Sequence, residues 1–201
     1  METSVTSRIA TADDLDAITE TMSSAFAGDP LWGGWAFPDP ARADEQRRAW
    51  CRLYLNSALR YPWLRGTDGC EAAALWIPPG GTELSEEEEA EIVPLYEEWF
   101  GEAAAIHFEG FELFEGAHPR DRPHYYLALL ATHPEHKGRG LGMSVLRENL
   151  SLIDAEGSPS YLESTNPVNT PKYENLGFVK VGEFTFSNGG PTIETMWREP
   201  A

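Results

Sequence analysis

Leu129-Leu130-Ala131-Thr132-His133-Pro134-Glu135-His136-Lys137-Gly138-Arg139-Gly140-Leu141-Gly142 is the stretch from which the chain can be read outward. The apolar run from His124 to Thr132 predicts a strand buried on both faces. It stops at a Pro/Gly-rich turn, Pro134 to Gly142, after which Leu141, Val145, Leu146, Leu150 and Ile153 recur at helical spacing. Gly138, Gly140 and Gly142 let successive backbone N–H groups converge where the helix begins, and the helix adds the positive end of its dipole. Such a turn makes an anion site suited to a pyrophosphate, and it equally fits an ordinary tight strand-to-helix connection. The stretch lacks the G-x-x-x-x-G-K-[ST] of a P-loop. Its alternating glycines, late in the chain, fit a dinucleotide-binding fingerprint poorly.

On the C-terminal side, Ser160 to Ser164 reads as the next strand. An Asn-rich loop then leads to a short helix, Thr170 to Leu176, that carries Tyr173 and stops at Leu176-Gly177-Phe178. Phe178 to Phe186 and Thr192 to Arg198 form a closing hairpin. On the N-terminal side, Val5 to Ala10 reads as a short strand, and a helix starts at Thr11-Ala12-Asp13-Asp14, with Leu15, Ile18, Met22 and Phe26 on its apolar face. Asp29-Pro30 ends that helix, and the Trp/Gly/Pro-rich Leu31 to Pro40 is a loop. A second helix runs from about Ala43 to Arg60, and Asp68-Gly69 marks a hairpin between Trp63–Thr67 and Cys70–Pro78. Ser85-Glu86-Glu87-Glu88 is a capped, acid-loaded start of a helix ending near Phe100, with a further helix from Glu102 to Glu115. Alternating strands and helices place residues 1–201 in the α/β class, as one domain with a mixed sheet.

Composition narrows the chemistry. With 33 acids against 15 Lys and Arg over 201 residues, the net charge is −18 and the pI near 4.5, which disfavours nucleic acid and anionic lipid as partners. Neutral or cationic small molecules and basic peptides remain. Fourteen of the acids, and no Lys or Arg, lie between Gly66 and Pro119. That stretch reads either as a solvated acidic face or as the wall of a site that attracts a cation. No basic region followed by an apolar run opens the chain, and no apolar stretch is long enough to span a bilayer, so a cytoplasmic protein is expected. Cys51 and Cys70 lack metal-ligand spacing and fit buried free thiols of a reducing compartment. Trp32, Trp35, Trp76, Phe108 and Phe111, with Asp29 and Glu112 beside them, suit a pocket for an aromatic or cationic amine, although each aromatic also suits a core position.

Taken as a pair, K-G-R-G-L-G after one strand and N-x-x-x-x-x-x-Y-x-x-x-G-F after the next resemble the GNAT superfamily of acetyl-CoA-dependent N-acetyltransferases. Within it the chain is most similar to the puromycin N-acetyltransferase group and its actinobacterial relatives. The similarity runs through Ile9-Ala10-Thr11-Ala12-Asp13-Asp14, Ala25-Phe26-Ala27, Leu127-Ala128, Pro134-Glu135-His136 and Tyr161-Leu162-Glu163-Ser164. Asp29 stands where that group carries a tyrosine in its substrate region, and Lys137 replaces the usual Gln or Arg.

The resemblance implies a mostly antiparallel mixed sheet with a V-shaped splay between two central strands and helices on both faces. It implies acetyl-CoA as co-substrate, no metal, and a small-molecule amine as acceptor, with direct transfer in a ternary complex of a monomer or homodimer. Leu130, Ala131 and Thr132 would pair with the pantetheine arm, a backbone N–H near Ala131 would polarise the thioester carbonyl, and Lys137, Gly138, Arg139, Gly140, Leu141 and Gly142 would cradle the pyrophosphate. Asn166 and Asn169 match loop asparagines that contact the cofactor. Tyr173 matches the general acid. Glu163 beside the cofactor edge, Glu109 or Glu112 on the aromatic-rich helix, or a water chain would accept the amine's proton. The acceptor would be an antibiotic or a metabolite; a peptide acceptor and a non-catalytic acetyl-CoA sensor are the rival roles.

Overall fold

The computed structural model describes residues 6–187 and 189–201. Thirteen elements follow one another: β1 (Arg8–Ile9), α1 (Leu15–Phe26), α2 (Ala43–Ala58), β2 (Leu64–Gly66), β3 (Ala72–Ile77), α3 (Glu86–Phe100), α4 (Ala104–Ala117), β4 (Tyr125–Thr132), α5 (Leu141–Ala155), β5 (Ser160–Ser164), α6 (Thr170–Glu174), β6 (Val179–Thr185) and β7 (Thr192–Arg198). They match the expected elements to within a few residues; Val5, the expected start of the first strand, lies outside the described residues. The strands form one seven-stranded sheet in the order β1-β2-β3-β4-β5-β7-β6. Every pair is antiparallel except β4 and β5, which flank the helical crossover α5.

Local chemistry explains where elements begin. Ser85 Oγ accepts from Glu88 N at 3.2 Å while Glu88 Oε2 accepts from Ser85 N at 2.8 Å, the reciprocal cap read from the sequence. The β2–β3 turn is less regular than Asp68-Gly69 suggests: the left-handed residue is Cys70, at φ 59°, not Gly69. A side chain in that conformation costs about 1–2 kcal/mol relative to glycine.

Two cores sandwich the sheet. On one face Ile18 and Met22 of α1 and Trp50, Cys51 and Leu55 of α2 pack on Ala73, Leu75, Leu129 and Ala131. On the other, Val145, Leu146, Leu150 and Ile153 of α5 pack on Ala72, Ala74, Trp76, Tyr125 and Leu127. Trp76 therefore belongs to the α5 side. It is fully buried, and its indole N–H donates to Asn149 Oδ1 at 3.2 Å. The strand expected to be buried on both faces alternates instead: Tyr125, Leu127, Leu129 and Ala131 are buried, and the residues between them are partly open. Among the described residues no helix is long and apolar enough to cross a membrane.

Candidate active site

The open side of β4 is made by a bulge. Trp76 on β3 faces Leu127 and Leu75 faces Leu129, so Ala128 has no partner. The extra residue shifts the side-chain phase: Leu127 packs on the α5 side, whereas Leu129 packs with α1 and α2. β4 pairs with β5 only over Tyr125–Leu127 against Ser160–Leu162, then runs on to Thr132 held by β3 alone. The two strands thus part beyond Leu127. Backbone bonds fix which groups face the gap. His133 N donates to Glu71 O, and Ala72 O accepts from Thr67 N on the β2 side. By alternation, Leu129 and Ala131 turn their N–H groups to β3, and Leu130 and Thr132 turn theirs to the gap. Near Ala131, the N–H groups that face the gap are therefore those of Leu130 and Thr132.

A slot passes through this gap, lined by Leu127, Ala128 and Leu130 from β4, Leu162, Glu163 and Ser164 from β5, and Asp29, Trp32, Asn169 and Tyr173. Tyr173 sits on the single turn of α6, where Phe178 N donates to its carbonyl at 3.2 Å. Burial, and then the negative charge of Asp29, push its phenol up to about 12, so it is a protonated donor at neutral pH. Asp29 itself is tied into the frame. Its Oδ1 accepts from Leu31 N at 2.9 Å and Trp32 N at 3.1 Å, and its Oδ2 accepts from Thr165 Oγ1 at 2.8 Å. These bonds pin the tryptophan loop to the end of β5.

Glu163 is where three cavities meet. It lines the slot, an apolar pocket walled by Trp32, Trp50, Phe111 and Phe114, and a cleft of about 750 Å³ that opens to the surface between α3, α4 and the loop after β3. Its side chain is 3% exposed, yet Oε1 has no hydrogen-bond partner. The nearest basic nitrogen is His118 Nδ1 at 3.8 Å. His118 Nε2 lies 3.1 Å from His124 Nε2, and His124 Nδ1 lies 2.7 Å from Arg122 O. A carbonyl only accepts, so His124 carries its proton on Nδ1, and in its neutral form its Nε2 accepts from His118. Burial, as the largest effect, holds His124 below the usual histidine range, which favours that neutral form. Sequence reading missed His118 and His124, because no motif marks a pair brought together by the α4–β4 connection.

The remaining expected site residues divide. Trp32, stacked on Trp50 with ring centroids 4.3 Å apart, and Phe111 both line the apolar pocket. Trp76 lies across the sheet, as described above. Trp35 packs under the β6–β7 turn, where a Cβ on Gly190 would come within 2.7 Å of its indole, so it serves the frame. Phe108 turns toward Tyr96 and Phe111 between α3 and α4, and Glu112 points to solvent. Glu109 holds the β6–β7 turn, accepting from Ser187 N at 2.6 Å and Ser187 Oγ at 3.0 Å. Asn166 caps its own loop, accepting from Val168 N at 3.1 Å, whereas Asn169 borders the slot.

The Gly-rich turn lies beyond the slot's open strand. Gly138 and Gly140 hold φ of +80° and +74°, left-handed values with open space where a Cβ would stand. Gly142 is required by packing, because a Cβ there would meet Thr132 Oγ1 at 2.6 Å. Lys137, Gly138, Arg139 and Gly140 are exposed, and α5 begins at Leu141 with the N–H groups of its first turn unpaired by the helix. The preceding turn gathers ligand atoms of His133, Glu135 and His136 within 4.8 Å, but Arg139 donates to His136 Nδ1 at 2.7 Å and both occupies that lone pair and repels a cation.

The acid-rich stretch also resolves. Glu86, Glu87, Glu91, Glu97, Glu98 and Glu102 are exposed, and Glu83, Glu89 and Glu115, exposed as well, line the large cleft.

Comparison with known proteins gives the architecture a class. No protein-family model matches the chain. A crystal structure from Corynebacterium glutamicum, described as histone acetyltransferase HPA2 and related acetyltransferase, superposes with a TM-score of 0.73 at 27% identity over 99% of this chain and 98% of that one. Arylalkylamine N-acetyltransferase 2 of Aedes aegypti shares the fold, with a TM-score of 0.62 at 15% identity over 99% and 100% of the two chains. An uncharacterized N-acetyltransferase of Schizosaccharomyces pombe is 34% identical over 83 residues, which are 40% of this chain and only 34% of that protein's length. The fold is that of GNAT-type acetyltransferases.

Proposed function

We propose that the protein is an acetyl-CoA-dependent N-acetyltransferase that passes the acetyl group directly to a primary amine of a small cationic or aromatic molecule. One observation carries this reading. The parted strands bring a buried carboxylate, Glu163, and a buried protonated phenol, Tyr173, to a single slot from opposite sides of the sheet. That is the pair of groups the reaction needs. An amine is a nucleophile only after losing its proton, and a thiolate leaves more readily if it gains one.

In this reading the pantetheine arm lies along Leu130 and Thr132, and the phosphates sit at Gly138 to Gly142. The Leu130 N–H holds the thioester oxygen as negative charge develops on it. Glu163 accepts the proton of the incoming ammonium, and His118 lies next in line toward the cleft. The N–C bond forms as the C–S bond breaks, Tyr173 delivers its proton to sulfur, and the second proton, shed by the new amide nitrogen, restores the phenol. The apolar pocket behind Glu163 takes an apolar or aromatic part of the acceptor. The motif likeness to the puromycin N-acetyltransferase group extends the proposal to amine-bearing antibiotics. Asp29, committed to three hydrogen bonds within the chain, serves there as a loop anchor more than as a contact for the acceptor.

Thiol release from acetyl-CoA, followed with and without a panel of primary amines, tests the reading. Release that depends on the amine is expected. Cofactor binding without amine-dependent release from any member of a panel spanning alkyl, aromatic and cationic amines would favour a sensor.

A further inference from the structure

The large cleft carries more negative charge than acetyl transfer by itself requires. Glu83, Glu89 and Glu115 line it together with Glu163. The two arginines on its walls are already engaged: Arg120 with Glu115, and Arg122 with Glu199 at 2.6 Å. Among the described residues Glu83 and Glu89 have no such counter-ion. At the inner end stands Glu163, nine-tenths or more buried, its Oε1 without a hydrogen-bond partner among the described residues and 3.8 Å from His118 Nδ1. Between these acids the walls are apolar, from Ile77, Ile92, Phe111 and Tyr126. A cleft of about 750 Å³ is of the size that takes a whole small molecule.

We propose that this cleft binds a second positive charge on the acceptor: the amine to be acetylated lies at Glu163, and a distal ammonium or guanidinium, one aliphatic spacer away, lies beside Glu83 and Glu89. The acceptor is then an aliphatic dication. This rests on the N-acetyltransferase reading and narrows its substrate class. A dication relieves two costs at once, the mutual repulsion of the clustered carboxylates and the unpartnered oxygen of Glu163. The methylene spacer meets the apolar walls.

Cadaverine and pentylamine share a carbon chain and differ in the second ammonium, so they isolate the subsite. Wild-type kcat/KM is expected to favour cadaverine by about tenfold or more, the scale of a partly desolvated ion pair. Glu83→Gln combined with Glu89→Gln should bring the ratio near unity through the cadaverine KM, with the acetyl-CoA KM unchanged. Salt should erode the cadaverine preference in the wild type, because charges in an open cleft are screened. Calorimetric binding of cadaverine in the absence of acetyl-CoA separates the two layers of the proposal. Cadaverine binding that is lost in the double variant, with neither amine acetylated, would uphold the subsite and count against acetyl transfer to these amines. Equal kcat/KM for the two amines in the wild type, or cadaverine binding indifferent to the double variant, would overturn the subsite while leaving acetyl transfer standing. Acetylation of a basic peptide in strong preference to both amines would overturn the small dication in favour of a peptide.

Discussion

Tyr173→Phe is expected to lower kcat by about 10²–10⁴-fold, the usual loss when a general acid is removed. The substitution deletes one oxygen and keeps the ring in place against Phe178 and the α5 core. No hydrogen bond from the phenol to another protein group holds the fold together among the bonds of the described residues, so stability and acetyl-CoA affinity should persist. The pH dependence has a defined sign. Burial and Asp29 raise the Tyr173 phenol to about 12, so the wild type keeps its acid through neutral and moderately alkaline pH. A tyrosine with the ordinary value of about 10 would begin to lose it sooner. The gap between wild type and variant should therefore hold across that range and narrow only at strongly alkaline pH, where Tyr173 ionises and a thiolate departs unaided. Single-turnover rates across pH check both parts, since they report chemistry free of product release. Full single-turnover activity in a folded Tyr173→Phe protein would remove the phenol from the mechanism.

The second large effect belongs to Gly140. Under the proposed function acetyl-CoA binds only the native state, so it should raise the Tm of the wild type. Gly140→Asp should abolish that rise by setting a carboxylate against the pyrophosphate where Gly138 to Gly142 turn into α5. Because Gly140 holds φ at +74°, any side chain there is strained, and the loss of charge complementarity has to be separated from the strain. Gly140→Asn does so. It has the same shape and the same tolerance of the left-handed region, without the charge. The Asn variant should be destabilised about as much as the Asp variant in the absence of ligand, yet still gain Tm with acetyl-CoA. A full Tm rise in Gly140→Asp would place the phosphates elsewhere.

The sequence was most legible where a few adjacent residues decide the outcome. Ser85 and Glu88 cap each other across one turn, Gly138 and Gly140 need positive φ at their own positions, and Gly177 ends the turn that carries Tyr173. Each is a local event, decided within one turn of the chain. The face of a sheet on which a residue ends up is not local. Trp76 was expected beside the acceptor because aromatic faces with nearby acids suit a cationic or aromatic amine. Its side depends on the register of β3 against β4, and nothing in Leu127-Ala128-Leu129 announces the bulge that sets this register. The same bulge explains why the N–H groups facing the gap are those of Leu130 and Thr132. Phe108 and Trp35 failed as pocket residues for a related reason: Tyr96 and Gly190, distant in sequence, cover them. Composition hinted at the cleft through the acid run from Gly66 to Pro119, but only the packing of α3 and α4 sets the exposed Glu83 and Glu89 on the wall of that cleft.

The central claim is that Glu163 and Tyr173 serve one slot in which the amine attacks the thioester directly, with no acetyl group resting on the protein. Mass spectrometry of quenched turnover mixtures, reading the intact chain and the acceptor together, tests this most directly. The account predicts acetyl label from acetyl-CoA on the acceptor nitrogen and a protein mass unchanged at every time point, with label transfer slowed in Glu163→Gln and Tyr173→Phe. An acetylated chain that forms and then decays at the rate of product formation would contradict it.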